Sequence, residues 1–301
     1  MQIKDTSAYY NVVKTISSLF KQLEDPKLRL FGIAVGLTLL QLGLTWKRGG
    51  DFDRLIVNSL FAYTLLSLLW KKKDNLNLES GIFSSVCGLL LIALVLVKSI
   101  SLFWFEYSFA RIIPLILAIG FGLLASGIKG LKQYWRELII VVALMLPEDI
   151  LPAILEQVLK VSELTAQFAV FVLWYTGFPA YRQGVNVILT HGAVAVEHPC
   201  TGLVPGLLLL KLSVLFIFMF PIDKNKKILV PIAAVLIAFI TSGFRVALMA
   251  LVVSDHDAFA YWHGSEGNQI FSTIAMFVFV LFCKFLLQQA KTASQDSLEL
   301  Q

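Results

Sequence analysis

Polar side chains are scarce in this chain, and charge is scarcer still. Charged residues make up 15% and hydrophobic residues 57% of the 301 positions, against about 25% and 45–50% in an ordinary soluble domain. So little polar surface excludes a water-soluble fold. Three cysteines are too few for a disulfide framework. No CxxC or HExxH spacing occurs, so no metal motif is present and no metal or cofactor is expected. The net charge of +5 sits in short clusters between apolar runs, as topology signals do, which excludes a nucleic-acid partner. No internal repeat, low-complexity tract or long linker stands out. The first 28 residues are polar and charged without a short apolar core, so the pattern of a cleavable leader is lacking and the first apolar run is expected to direct insertion.

Long apolar runs fill the space left by those absences. A membrane span needs about 20 apolar residues to cross about 30 Å of hydrocarbon. Eight runs approach this, at 29–46, 55–70, 81–99, 110–128, 138–155, 201–220, 228–252 and 268–288. The second is short, and Pro147, Glu148 and Asp149 interrupt the fifth. The apolar stretch 164–178 is shorter and is expected to be an interfacial or protein-buried helix. The expected class is therefore an all-α polytopic membrane protein of about eight transmembrane helices. Its boundaries read as a cytoplasmic N-terminal arm (1–28), an integral membrane domain (29–288) and a cytoplasmic C-terminal tail (289–301). With the N-terminus inside, the inner segments hold more than twice as many Lys and Arg as the outer ones, as the positive-inside rule demands. The loop 253–267 contains neither Lys nor Arg and is the clearest outer segment. Residues 183–199 alternate apolar and polar around His191-Gly192, the pattern of a small extracytoplasmic β-hairpin.

Three side chains with chemistry fall on that outer side. Cys200, in EHPCTGLVP, lies at the mouth of the sixth run. A thiolate is the nucleophilic form of cysteine, and a nearby Arg, His or helix N-terminus favours it. The bland alternative is a small residue at a helix start. Cys87 and Cys283 sit inside apolar runs and read as packing residues. Arg245 lies within the seventh run, ~10 Å from its outer end at 1.5 Å per residue. A buried guanidinium is costly and usually functional; it can hold a carboxylate or stabilise an oxyanion, or simply make an ion pair or snorkel. Lys211 is ambiguous, with Glu148 or Asp149 as possible partners. His263, in the loop before the eighth run, has the chemistry of a general acid or base, although a loop histidine is more often only solvated. His191 reads as exposed at the hairpin turn and His256 as a capping residue. His198, two residues from Cys200, is badly placed for direct pairing and can shape the local field.

In their order and depth these residues resemble the exosortase/archaeosortase family of membrane transpeptidases. Glu197, Cys200, Thr201 and Gly202 in VEHPCTGL resemble its first motif, Glu-x-x-Cys-Ser/Thr-Gly. SGFRVALM resembles the second, with Arg245 as its arginine. HGSEG resembles the third, with His263 and Gly267. Ser242 stands where the second motif often has Asn, and its hydroxyl lacks the two-sided bonding of an amide. The pattern is most similar to the cyanobacterial branch, the cyanoexosortases. The resemblance implies exported substrates whose C-terminal tail carries a short recognition motif, a transmembrane helix and a basic cluster. It implies attack by Cys200, proton handling by His263 and charge stabilisation or thiolate activation by Arg245. Glu197 would orient His263 or recognise substrate, with Thr201, Gly202, Ser242 and Gly267 in support. Partners would be the substrate proteins, the lipid bilayer and, as an allowance, a membrane accessory protein. Three other readings stay open: a transporter or channel using Arg245 and Lys211 as working charges, a non-catalytic envelope scaffold, and a membrane acyltransferase that loads lipid on Cys200.

Overall fold

The structure, a computed structural model, describes residues 25–49, 52–100, 107–148 and 150–299. The expected N-terminal arm lies outside these residues up to position 24, as does Asp149. The chain divides into two compact units, Met1–Met145 and Leu146–Gln301.

The first unit is helical. Helices α1 (Pro26–Gly49), α2 (Phe52–Lys72), α3 (Ile82–Ile100), α4 (Tyr107–Gly130) and α5 (Trp135–Met145) are joined in part by short 3-10 turns. Apolar side chains surround these helices rather than forming a single stripe. Ala34, Phe121, Ala125 and Tyr134 make one buried cluster, while Leu39, Trp46, Phe83 and Leu90 face outward. Exposed rows of large apolar side chains are a liability in water and the ordinary outer surface of a helix in lipid. Backbone groups bonded within each helix meet the same requirement, since hydrocarbon offers no partner. At the end of α2, Lys72 Nζ donates to both Glu137 carboxylate oxygens, at 2.8 and 2.9 Å. A buried carboxylate needs such a partner.

The second unit contains α6 (Ile150–Leu159), α7 (Val161–Tyr175), strands β1 (Tyr181–Gln183), β2 (Asn186–Leu189) and β3 (Gly192–Ala195), then α8 (Leu203–Met219), α9 (Lys224–Leu251), α10 (His256–His263) and α11 (Ser265–Glu299). α6 and α7 meet at a 71° bend at Lys160, whose φ is +48°. The Glu156 carboxylate accepts from the Ser162 backbone N–H at 3.0 and 3.1 Å, satisfying one of the free donors of the α7 N-terminus. The strands form an antiparallel sheet in the order β1-β2-β3, with Leu189 opposite Gly192 across the turn. The expected hairpin forms, with its turn at Thr190-His191, one residue earlier than His191-Gly192, and Gly192 opening β3; β1 extends it by a strand the sequence pattern did not suggest. Alternate residues Val187, Leu189, Val194 and Val196 join Ala166, Leu173, Val246 and Met249 in one buried cluster. That period-2 selection of one sheet face packs the sheet on α7 and α9.

Among the described residues five helical stretches are long and apolar enough to cross a membrane, and the bent α6–α7 pair makes a sixth if it is one span. They include Arg111–Met145, Lys224–Leu251 and Ser265–Ala290. The polytopic all-helical class holds, but two expectations about its spans do not. The run 138–155 is not one helix: its first half ends α5 at Met145 and its second half opens α6 at Ile150. Pro147 lacks a backbone donor and disfavours helix in the residue before it, so the chain breaks there. Of the other expected spans, α2 is outside the qualifying set and α8, with 17 residues, is a shorter apolar helix. The stretch 164–178 lies mostly in α7, whose 15 residues reach ~22 Å at 1.5 Å each. Alone that is short of the hydrocarbon. α11 continues to Glu299, past the boundary at 288.

Candidate active site around Cys200 and Arg245

Cys200 ends a 3-10 turn, His198–Cys200, between β3 and α8. Its backbone N–H donates to the Glu197 carbonyl at 2.9 Å. The Thr201 hydroxyl donates to the His198 carbonyl at 2.8 Å, and the Thr201 carbonyl accepts from the Thr165 hydroxyl at 3.4 Å. These bonds fix the turn to itself and to α7. Gly202 then enters α8 with φ +79°, a conformation that costs other residues ~1–2 kcal/mol. A methyl group there would lie 2.8 Å from both the Ala238 carbonyl and the Ser242 hydroxyl. Gly202 is therefore required twice over, by its dihedral and by the closeness of α9. Ser242 serves this approach as a small side chain.

The Cys200 side chain is 2% exposed and belongs to the apolar cluster of sheet, α7 and α9. Burial pushes its thiol above the ordinary value, the Arg245 cation pulls it back, and Glu197 adds a further upward push. The net direction is upward, contrary to the expectation of a thiol lowered by its cationic neighbour. Desolvation by burial is the largest of the three influences and outweighs the guanidinium. The resting group is thus a thiol, and a base must take its proton when it reacts.

Arg245, 4% exposed, is held almost entirely by carbonyl oxygens. Nε donates to the Trp262 carbonyl at 3.0 Å, and Nη2 to those of His263 at 2.8 Å and Gly264 at 3.4 Å. Nη1 donates to Asn268 Oδ1 at 3.0 Å. The last carbonyls of a helix lack partners and carry negative partial charge, so Arg245 caps α10 from α9 and fastens the start of α11. No carboxylate neutralises it among the described residues. It is neither an ion pair nor a snorkelled surface group. Five guanidinium N–H groups meet four acceptors, so the cation retains donor capacity while its field reaches the Cys200 thiol.

His263 lies at the end of α10, exposed, with its ring stacked on Phe259 at 5.4 Å and 9° between planes. Its backbone carbonyl, not its imidazole, contacts Arg245. No hydrogen bond joins the imidazole to Cys200 or Glu197 among the described residues. The structure therefore joins Cys200 to Arg245 electrostatically and His263 to Arg245 through the main chain, and does not join the His263 ring to the thiol. Gly267 is buried where α11 turns back on α10: a methyl there would lie 2.6 Å from the Trp262 Cα. Glu197 is exposed beside the turn.

Other assignments sort themselves out. Asp255, not His256, caps α10, accepting from the N–H groups of Asp257 and Ala258 at 3.1 and 3.0 Å. His191 is exposed at the hairpin turn. Lys211, 3% exposed, pairs with Glu148 at 2.6 Å, one of its two expected partners. Asn268 escaped the sequence reading. Its only signal was an amide directly after Gly267. Among the described residues no three His, Cys, Asp or Glu side chains converge as a metal would need.

The family model described as transmembrane exosortase matches residues 46–280. The chain belongs to the transmembrane exosortase family. That match takes in every site residue above, from Glu197 to Asn268, as well as most of the first unit. No curated protein and no solved structure matches. Exosortase membership gives the chain a general role as a membrane transpeptidase acting on exported proteins.

Proposed function

We propose that this exosortase removes the C-terminal sorting tail of exported proteins through a thioester on Cys200. The observation that carries the reading is the pairing of a buried thiol with a buried, un-neutralised guanidinium on neighbouring elements. The Cys200 sulfur attacks the carbonyl carbon at the scissile bond, and its proton passes to His263. Arg245 stabilises the charge that develops on the carbonyl oxygen, the kind of preorganised contact that is worth most in a dry site. The C–N bond then breaks, and the departing tail amine takes the proton from His263. A thioester remains. Water or an amine attacks it, restoring the thiol and transferring the protein for anchoring or release. This route needs the His263 ring to leave Phe259 when substrate binds. Glu197 orients that ring or reads the recognition motif, of the Pro-Glu-Pro kind.

The same reading places the protein in the cytoplasmic membrane with both termini inside and Cys200 on the extracytoplasmic side, where a tail's motif emerges. Co-expression with an exported reporter bearing a tripartite tail tests it. Wild type is expected to remove the tail, and Cys200→Ala at equal membrane abundance to retain it. Equal processing by both would end the nucleophile assignment and return weight to a transporter or scaffold.

A further inference from the structure

The first unit contains a half-open cavity of about 100 Å³. It is walled chiefly by apolar residues of α1, α2, α4 and α5, such as Ala34, Leu66, Leu117 and Val141. A lining so largely apolar favours an apolar guest over water. Four polar side chains in the wall are engaged. The Thr38 hydroxyl donates to the Val35 carbonyl at 2.8 Å, and Asn58 Nδ2 to the Thr45 hydroxyl at 3.4 Å. The Tyr134 hydroxyl meets that of Ser126 at 2.9 Å, and Glu137 is bound by Lys72. The fifth, Gln41, is different: its Oε1 is buried and has no hydrogen-bond partner among the described residues. A buried acceptor left alone costs free energy that a bound donor would recover.

We propose that this cavity is a lipid site for a single apolar chain carrying an uncharged hydroxyl, such as a long-chain alcohol or monoacylglycerol, with the hydroxyl donating to Gln41 Oε1. The apolar wall selects hydrocarbon, and the half-open volume seats the hydroxyl end of one chain, a few carbons of it, with the remainder extending outward. The orphan is an acceptor, so the guest must donate. Among the described residues the wall's one carboxylate, Glu137, is already paired with Lys72, and no Lys, Arg or His lines it, which leaves no counter-charge for an ammonium or a phosphate. Gln41 lies six residues inside Lys47, the end of the first candidate span, hence ~9 Å along the helix. At that depth the ester groups of a diacyl lipid offer acceptors only. The proposal concerns the first unit and makes no use of the cleavage chemistry.

The purified full chain in nanodiscs, photolabelled with a diazirine-bearing hexadecanol and separately with its methyl ether, tests the site. The two probes match in apolar character and differ in the donor. The alcohol is expected to label the cavity-facing segments of α1, α2 and α4, about fivefold more than the ether, the size of one net hydrogen bond. Gln41→Leu should equalise the two probes, and Ala118→Phe should remove both labels by filling the cavity. Gln41→Met serves if the leucine variant loses its helicity or monodispersity. Equal labelling of the wild type by both probes overturns the proposal without any variant. Labelling spread equally over outward residues of α3 such as Leu89 and Leu90 also overturns it, since that is the surrounding lipid. Neither result bears on tail removal.

Discussion

At Cys200 three influences meet: burial and Glu197 raise the thiol, and Arg245 lowers it. Their signs give the first prediction. A group that reacts as thiolate gains rate as pH rises toward its pKa, so anything that lowers the pKa moves the rising limb to lower pH. Glu197→Gln removes an upward push and should shift that limb toward acid. Arg245→Leu removes the downward pull and should shift it toward base. The pH dependence of Cys200 alkylation, with Cys87 and Cys283 replaced by alanine, reads this without needing a substrate; unmoved limbs would show that neither charge is felt at the sulfur. Arg245→Lys is a separate test of geometry. Lysine keeps the charge but cannot present a planar fork to several acceptors, and tail removal should fall about 100-fold, as when a preorganised donor is lost. Wild-type rates in that variant would reduce Arg245 to a point charge. Much of the site was legible from residue types alone, because Cys, Arg and His carry chemistry wherever they stand. The main-chain carbonyls of Trp262, His263 and Gly264 were not, since a carbonyl acceptor has no letter of its own. The direction of the thiol shift was missed for a related reason: sequence shows which charges are near, not how dry the sulfur is.

Between elements, the site depends on close approaches that single side chains enforce. Asn268 tethers α11 to the Arg245 guanidinium at 3.0 Å, a hydrogen bond to a charged group worth about 1.5–3 kcal/mol. Asn268→Ala should lower thermal stability by about that amount and reduce tail removal, although Asn268 has no hydrogen bond to Cys200 among the described residues. Full activity in that variant would mean that the α10–α11 junction does not position the cation. Gly202→Ala tests the other approach. It combines a left-handed backbone with a methyl group against the Ala238 carbonyl, and backbone yields less readily than the tip of a side chain. Cys200 should lose its position, which would appear as faster alkylation of a thiol no longer buried. Element by element, the sequence was readable where periodicity ran long, as in α3, α9 and α11. It was less so in the fifth run, where apolar composition continued across Pro147 and Glu148 while the helix did not. β1 was invisible because three exposed residues carry no alternation to detect; only pairing with β2 makes them a strand.

For the whole molecule the open quantity is orientation, because helix length and apolarity say that spans cross and not which way. We propose the orientation from charge: by the positive-inside rule Lys71, Lys72 and Lys73 go inside, and the loop 253–267, without Lys or Arg, goes outside. Lys211 lies within α8 rather than in a loop, so it leaves that balance unchanged. Cysteines placed at two exposed sites should therefore behave differently. In a chain whose own three cysteines are replaced by alanine, Asp257→Cys should react with a membrane-impermeant maleimide on intact cells. Asn75→Cys should react only after permeabilisation. The two positions lie in different compact units and flank different spans, so a single local error cannot produce both results. The reverse pattern would place Cys200 on the cytoplasmic side, where an exported tail keeps its basic cluster rather than its recognition motif. The chemistry around Cys200 and Arg245 would then stand, but its substrate would have to be a peptide presented from within.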